Sequence, residues 1–245
     1  MFNAYDIVSE LEKRVADYAG APYAVAVDSC TNAILLSLKY HFSFETPKTI
    51  GLPAFTYVGV AYAVLNSGGI CQFVDSRWNG AYRLLGTMII DSARRFRRDM
   101  YRNDSLYCLS CHWGKHLKIG RGGFILTDDE NAYNTLKRMR YDGRRAGVAP
   151  KDDNFDVPGF HCYMLPEEAA RGLRLMDYIP DDNPDLPWDD YVDLRQFPIF
   201  QRGYVNSLSI IFSRLRASAL MAQRGYIILA YFSHVDTRRT RGFLC

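Results

Sequence analysis

Lys115 is the residue of this chain whose type and setting most directly suggest chemistry. It follows Gly114 in the stretch SLYCLSCHWGKHLKIGRGGFILTDD, Ser105 to Asp129. Two short apolar runs, Leu106–Leu109 and Phe124–Thr127, flank it, and Gly-Arg-Gly-Gly follows at 120–123. Apolar runs of that length bounded by glycine read as buried strands. A lysine on the turn between them sits at a sheet edge, where desolvation lowers its pKa and frees the amine for Schiff-base chemistry. A surface lysine in a hairpin loop fits the same segment.

Two further places invite chemistry. The apolar run Tyr23–Val27 ends in Asp28-Ser29-Cys30-Thr31-Asn32 and continues into the helical run Ala33–Tyr40. A strand, a small polar turn and a helix form a cradle for phosphate, because the helix's first amides and the nearby hydroxyls converge on one anion. Ser29 or Thr31 acting only as a helix cap is the plainer reading. Met88-Ile89-Ile90 is a short strand that stops on Asp91. A carboxylate at a strand's C-terminal end stands where open α/β sheets bind ligands, although a lone Asp there is more often a cap.

These residues need a scaffold, and the chain supplies an alternating one. Asn3 to Ala19 is an amphipathic helix carrying Val8, Leu11, Val15 and Tyr18 at helical spacing. Thr49–Leu52 reads as a strand, Val58–Leu65 as a helix closed by Gly68 and Gly69, and Ile70–Val74 as a strand reaching Asp75. A basic helix is expected after Asp91, a helix over Glu130–Tyr141, and another over Leu165–Tyr178. Pro180 to Pro198, rich in Pro and Asp, reads as a linker, which divides the chain into a large domain (1–178) and a small C-terminal one (179–245). Alternation of this kind predicts an α/β fold with a mostly parallel, helix-flanked sheet.

Composition narrows the function classes. The 245 residues are 48% hydrophobic and 23% charged, ordinary for a globular chain, and a net charge of +3 does not suggest nucleic acid. The basic clusters at 94–102 and 137–145 read as solvated helix faces. Six scattered cysteines and no signal peptide lead to the expectation of free thiols in the cytoplasm. Cys108 and Cys111 have CxxC spacing, but strand alternation turns them to opposite faces, and no second pair completes a zinc site. No apolar run approaches the ~20 residues that span a bilayer. No metal, membrane or nucleic-acid partner is therefore expected.

Five stretches together resemble the DegT/DnrJ/EryC1/StrS family of sugar aminotransferases, which use pyridoxal phosphate on a type I fold. LEKRVADYAGAPYAVAVDSCTNAILLSL is similar to the family's "YxG..yAvav.S.T.AL", and LPAFTYVGVAYAVLNSGGICQFVD to "P.fTf.a.a.Av...Ga.pvfvD". IIDSARRF resembles "iiEDaAqa", SCHWGKHLKIGRGGFILTDDE resembles "SF...K.l..G.GG...t.de", and GFHCYMLPEEAARGLRLMD resembles "G.N.RM.e.qAA.gl.ql". The stretches keep the family's order across about residues 5–178.

The resemblance implies roles. Lys115 would form the aldimine with pyridoxal phosphate and shuttle protons, and Asp91 would pair with the pyridinium nitrogen. Tyr57 would stack on the ring, Cys30 and Thr31 would offer phosphate-cradle amides, and Ser110 would also meet the phosphate. Arg94 stands where the family has Gln near the cofactor's phenolic oxygen. His161 and Tyr163 replace the Asn and Arg of "G.N.RM", on the substrate side. The implied reaction moves an amino group from glutamate or glutamine to a keto-sugar, expected to be nucleotide-linked, in a homodimer with the site near its interface. Departures matter too, since Asp75 and Asp91 lie only sixteen positions apart, where the family carries a longer segment with its own strand. The C-terminal domain is also short. A pyridoxal-phosphate enzyme of another outcome (decarboxylase, dehydratase or lyase) and a catalytically weak homologue with a binding role remain alternatives.

Overall fold

The computed structural model describes residues 5–44, 46, 48–187 and 191–201. Helix α1 (Asp6–Ala19) buries Val8, Leu11, Val15 and Tyr18, the face its spacing predicts. It stops at Gly20, whose φ of 74° lets its N–H return to the Ala16 carbonyl, a left-handed cap that glycine adopts without strain. Strand β1 (Tyr23–Val27) leads into α2 (Cys30–Phe44). Strand β2 (Thr49–Pro53), helix α3 (Val58–Ser67) and strand β3 (Ile70–Val74) follow, and β2 and β3 pair in parallel across the helix. Then come β4 (Tyr82–Arg83), β5 (Ile89–Asp91), β6 (Leu106–Ser110), β7 (Gly123–Thr127), α4 (Glu130–Met139) and α5 (Pro166–Met176).

The main sheet runs β1-β7-β6-β5-β4. Its ladders are mixed rather than mostly parallel: β5 and β6 pair in parallel, while β1–β7, β6–β7 and β4–β5 are antiparallel. β6 returns as β7 antiparallel through the lysine turn, whereas the irregular stretch 92–105 carries the chain back so that β6 pairs with β5 in parallel.

Alternation along the strands splits the core into two layers. Val25, Val27, Cys108 and Ile125 face α2, α3 and α4, while Ala24, Ala26, Leu109, Phe124 and Leu126 face α1 and α5. Helices thus cover both sheet faces, as an α/β fold requires. Cys108 and Cys111 fall in opposite layers, as their spacing predicts. The five described cysteines are free thiols, and no described helix is long and apolar enough to cross a membrane.

Two local expectations need correction. Residues 92–105 form turns, not a basic helix, with Asp99 and Asp104 at φ 52° and 58°. Their arginines are spent on distant partners: Arg95 and Arg97 reach Asp185, and Arg98 reaches Asp181. The described residues of the stretch read as a linker, 180–187 and 191–198, are packed rather than free. Leu186 N–H bonds the Arg94 carbonyl, and Leu194 N–H bonds the Ala54 carbonyl. Of the predicted small domain, residues 188–190 and 202–245 lie outside the described residues.

Candidate active site

The C-terminal ends of β1, β2, β5 and β6 converge on a cavity of about 350 Å³, within the range of small-molecule sites. At the end of β1, Ser29 caps α2: its carbonyl accepts from Ala33 N–H and its Oγ from Asn32 N–H at 3.1 Å. The cap reading of Ser29 is therefore correct, and it leaves the first-turn amides of Cys30 and Thr31 at the cavity, where a helix has no internal acceptor to offer them. Asp28 beside them would repel an anion. Its charge is already engaged, with Asn32 Nδ2 at 2.7 Å on Oδ1 and Arg121 Nη2 at 2.8 Å on Oδ2.

The glycines behind the lysine turn make this apposition possible. A Cβ on Gly123 would lie 2.6 Å from the Leu109 carbonyl and 2.7 Å from the Cys30 nitrogen. Gly59 does the same for α3, where a Cβ would lie 2.8 Å from Thr31 Oγ1.

Asp91 closes β5 and is 5% exposed. Burial raises its pKa, against the opposing pull of the Ala93 amide, the Tyr82 hydroxyl, Lys115 and Arg94. Lys115, half-buried on the turn after β6, has its pKa lowered by burial and by the Arg94 guanidinium, with Asp91 pulling the other way. Burial pushes the Cys30 thiol well up, so it lines the cavity as a neutral group. An amine short of its full proton affinity and a strand-end carboxylate thus share one cavity.

Of the nine residues singled out in the sequence, Cys30, Thr31, Tyr57, Asp91, Ser110 and Lys115 line this cavity. Arg94 is buried and is not among the lining residues; it donates to the hydroxyl of the lining Tyr191 at 3.2 Å and to the Pro187 carbonyl. His161 and Tyr163 lie elsewhere: His161 Nδ1 is 3.0 Å from Asp142 Oδ2, and the Tyr163 ring meets Tyr5, Tyr141 and His161. Sequence reasoning missed Thr56, Trp78, Arg121 and Tyr191, which also line the cavity. Thr56 and Arg121 sat inside quoted motifs. Trp78 and Tyr191 lay in polar segments with no periodicity to flag them.

This sheet, with a carboxylate at the end of β5 and a lysine on the turn after β6, has the type I fold of the solved structures it matches. Among solved structures, AtS13 from Actinomadura melliaura superposes with a TM-score of 0.63 at 18% identity, covering 71% of this chain and 60% of that one. GDP-4-keto-6-deoxymannose-3-dehydratase gives 0.58 at 20% identity, covering 71% and 61%. In sequence, residues 1–81 match the DegT/DnrJ/EryC1/StrS aminotransferase family. The spore coat polysaccharide biosynthesis protein SpsC of Bacillus subtilis is 21% identical, over 71% of this chain and 57% of its own length. The chain spans little more than half the length of the curated protein it matches.

Proposed function

We propose that this chain binds pyridoxal phosphate and transfers an amino group from glutamate or glutamine to a nucleotide-linked keto-sugar, working as a homodimer. The observation that carries the reading is the placement of Lys115 and Asp91 in one cavity with the α2 N-terminus. When bound, the cofactor supplies the electron sink that lets nitrogen pass from donor to acceptor. The residues present fit it. The Cys30 and Thr31 amides and the Ser110 hydroxyl would hold the phosphate, with Arg121 keeping the Asp28 charge neutralised. Asp91 would hold a proton on the ring nitrogen. The exposed Tyr57 ring would cover one ring face and exclude water. Lys115, its proton affinity lowered, would hold the aldehyde carbon and then take and return a proton at Nζ.

The test is an absorption spectrum with added pyridoxal phosphate, before and after borohydride. Wild-type protein should be covalently labelled on Lys115, and Lys115→Ala should lose the label while keeping its fold. A labelled Lys115→Ala protein would refute the assignment. Isotopic nitrogen from glutamate appearing in a keto-sugar would then separate transfer from dehydration, the outcome named for one of the fold's solved neighbours.

A further inference from the structure

Tyr82 lies outside every motif in the chain, on a strand of two residues. Yet β4 pairs with β5 so that Tyr82 stands directly opposite Asp91. Its hydroxyl donates to Asp91 Oδ2 at 2.8 Å. Thr56 Oγ1 lies 2.6 Å from the same hydroxyl, and since the phenol has one proton, committed to the carboxylate, Thr56 is the donor in that second bond. The other carboxylate oxygen, Oδ1, accepts the Ala93 N–H at 3.0 Å. The Trp78 ring, 4.8 Å from that of Tyr82, packs against the phenol. Each Asp91 oxygen thus has one protein donor and keeps lone-pair capacity for a ligand.

We propose that Tyr82 is a positioning residue for the site: with Thr56 behind it, it aims the Asp91 carboxylate into the cavity and holds it ionised. Burial works against that ionisation, and the other groups facing Asp91 do not replace Tyr82. Lys115 and Arg94 favour the anion from the turn after β6 and the loop after β5, while Cys30 on α2 and Cys108 on β6 are thiols that burial keeps neutral. Asp91's task toward the cofactor rests on the proposed function; its support by Tyr82 does not.

The test uses Tyr82→Phe, which removes the hydroxyl and keeps the ring. Difference infrared titration of the cofactor-free protein, with the Asp91 carboxyl band assigned by its loss in Asp91→Asn, reads the carboxylate directly. Losing a charge-assisted donor should move protonation of Asp91 about one to two pH units higher. Thr56→Val should move it in the same direction by less, and it carries the test if Tyr82→Phe does not fold. In pyridoxal-phosphate-loaded protein, the acid limb of the bound-cofactor absorbance should move by the same amount. A Tyr82→Phe protein whose Asp91 midpoint is unchanged, even with a lower melting temperature, would overturn the inference. Wild-type protein that takes up no cofactor would sink the functional reading and leave the infrared comparison intact.

Discussion

Replacing Arg140 by methionine probes the joint that holds the cradle strand in place. β1 is the edge strand of the main sheet: β7 is its one strand partner, and on the other side Val27 makes an isolated bridge to Tyr163. On that side, the Ala26 N–H donates to Glu12 Oε1 at 2.8 Å, and Arg140 Nη1 donates both to the Ala26 carbonyl and to Glu12 Oε1. At Ala26 two side chains thus do what a neighbouring strand would do, binding α1, β1 and the end of α4 together. Glu12 is 3% exposed and Arg140 9% exposed, so removing the guanidinium leaves a buried carboxylate held by the Ala26 N–H, with the Lys137 ammonium at 3.5 Å. Breaking a buried pair by removing one partner costs about 3–5 kcal/mol, a large share of a total of roughly 5–15 kcal/mol. At about 2–4 °C per kcal/mol for a chain of this size, the melting temperature should fall by roughly 6–20 °C. Urea unfolding followed by circular dichroism should show a lower midpoint at unchanged slope. Glu12→Met/Arg140→Met should lose less than the sum of its single variants, because neither charge is then stranded. An Arg140→Met protein within about 1 kcal/mol of wild type would refute the reasoning.

Two shorter predictions follow from contacts around the cavity. Gly123→Ala forces a Cβ against two backbone atoms, at 2.6 and 2.7 Å, so it should cost about 1–3 kcal/mol and weaken uptake of pyridoxal phosphate; Gly114→Ala, whose nearest contact is 3.7 Å, should be near neutral in both measurements. Asp185 is held below its ordinary pKa of 3.8, first by its hydrogen bond from Arg95 and then by the charges of Arg95 and Arg97. A depressed acid contributes stability that is present above 3.8 and lost as pH falls below it, so Asp185→Asn should flatten the acid side of a melting-temperature profile; an unchanged acid limb would count against the pairing.

What was legible in the sequence followed from periodicity and from residue types that serve local geometry. Tyr23–Val27 and Ile70–Val74 form the strands their apolar runs predict, and Gly120, Gly122 and Gly123 close a turn that puts Lys115 at the cavity. What was illegible depends on partners far along the chain. Arg95, Arg97 and Arg98 read as a helix face because the acids that claim them, Asp181 and Asp185, come more than eighty residues later. Glu12 sits in an amphipathic helix among solvent-facing charges, and only the edge position of β1 turns it inward. Arg94 illustrates the limit of register. It occupies the motif position, but its guanidinium is committed to the Tyr191 hydroxyl and the Pro187 carbonyl, partners that come more than ninety residues later.

The short link between Asp75 and Asp91 read in the sequence as a loss, a place where a strand and helix had gone. In the structure it joins the two sheets and shapes the site. Trp78 donates from Nε1 to the Phe55 carbonyl at 2.9 Å and lines the cavity. Tyr82 backs Asp91. Leu85 exchanges both backbone hydrogen bonds with Gly51, at 3.1 and 2.8 Å, which ties the β2–β3 ribbon to the main sheet. That last contact also explains the glycine in the apolar run of β2: a Cβ there would sit 2.8 Å from Leu85 Cβ. A two-stranded ribbon is marginal alone, and β2 delivers Thr56 and Tyr57 to the cavity. The pairing of Leu85 with Gly51 therefore governs whether one wall of the site stands in register with the carboxylate on the other. Three residues of this short link, Trp78, Tyr82 and Leu85, thus help bring Asp91, Tyr57 and the α2 turn to one cavity.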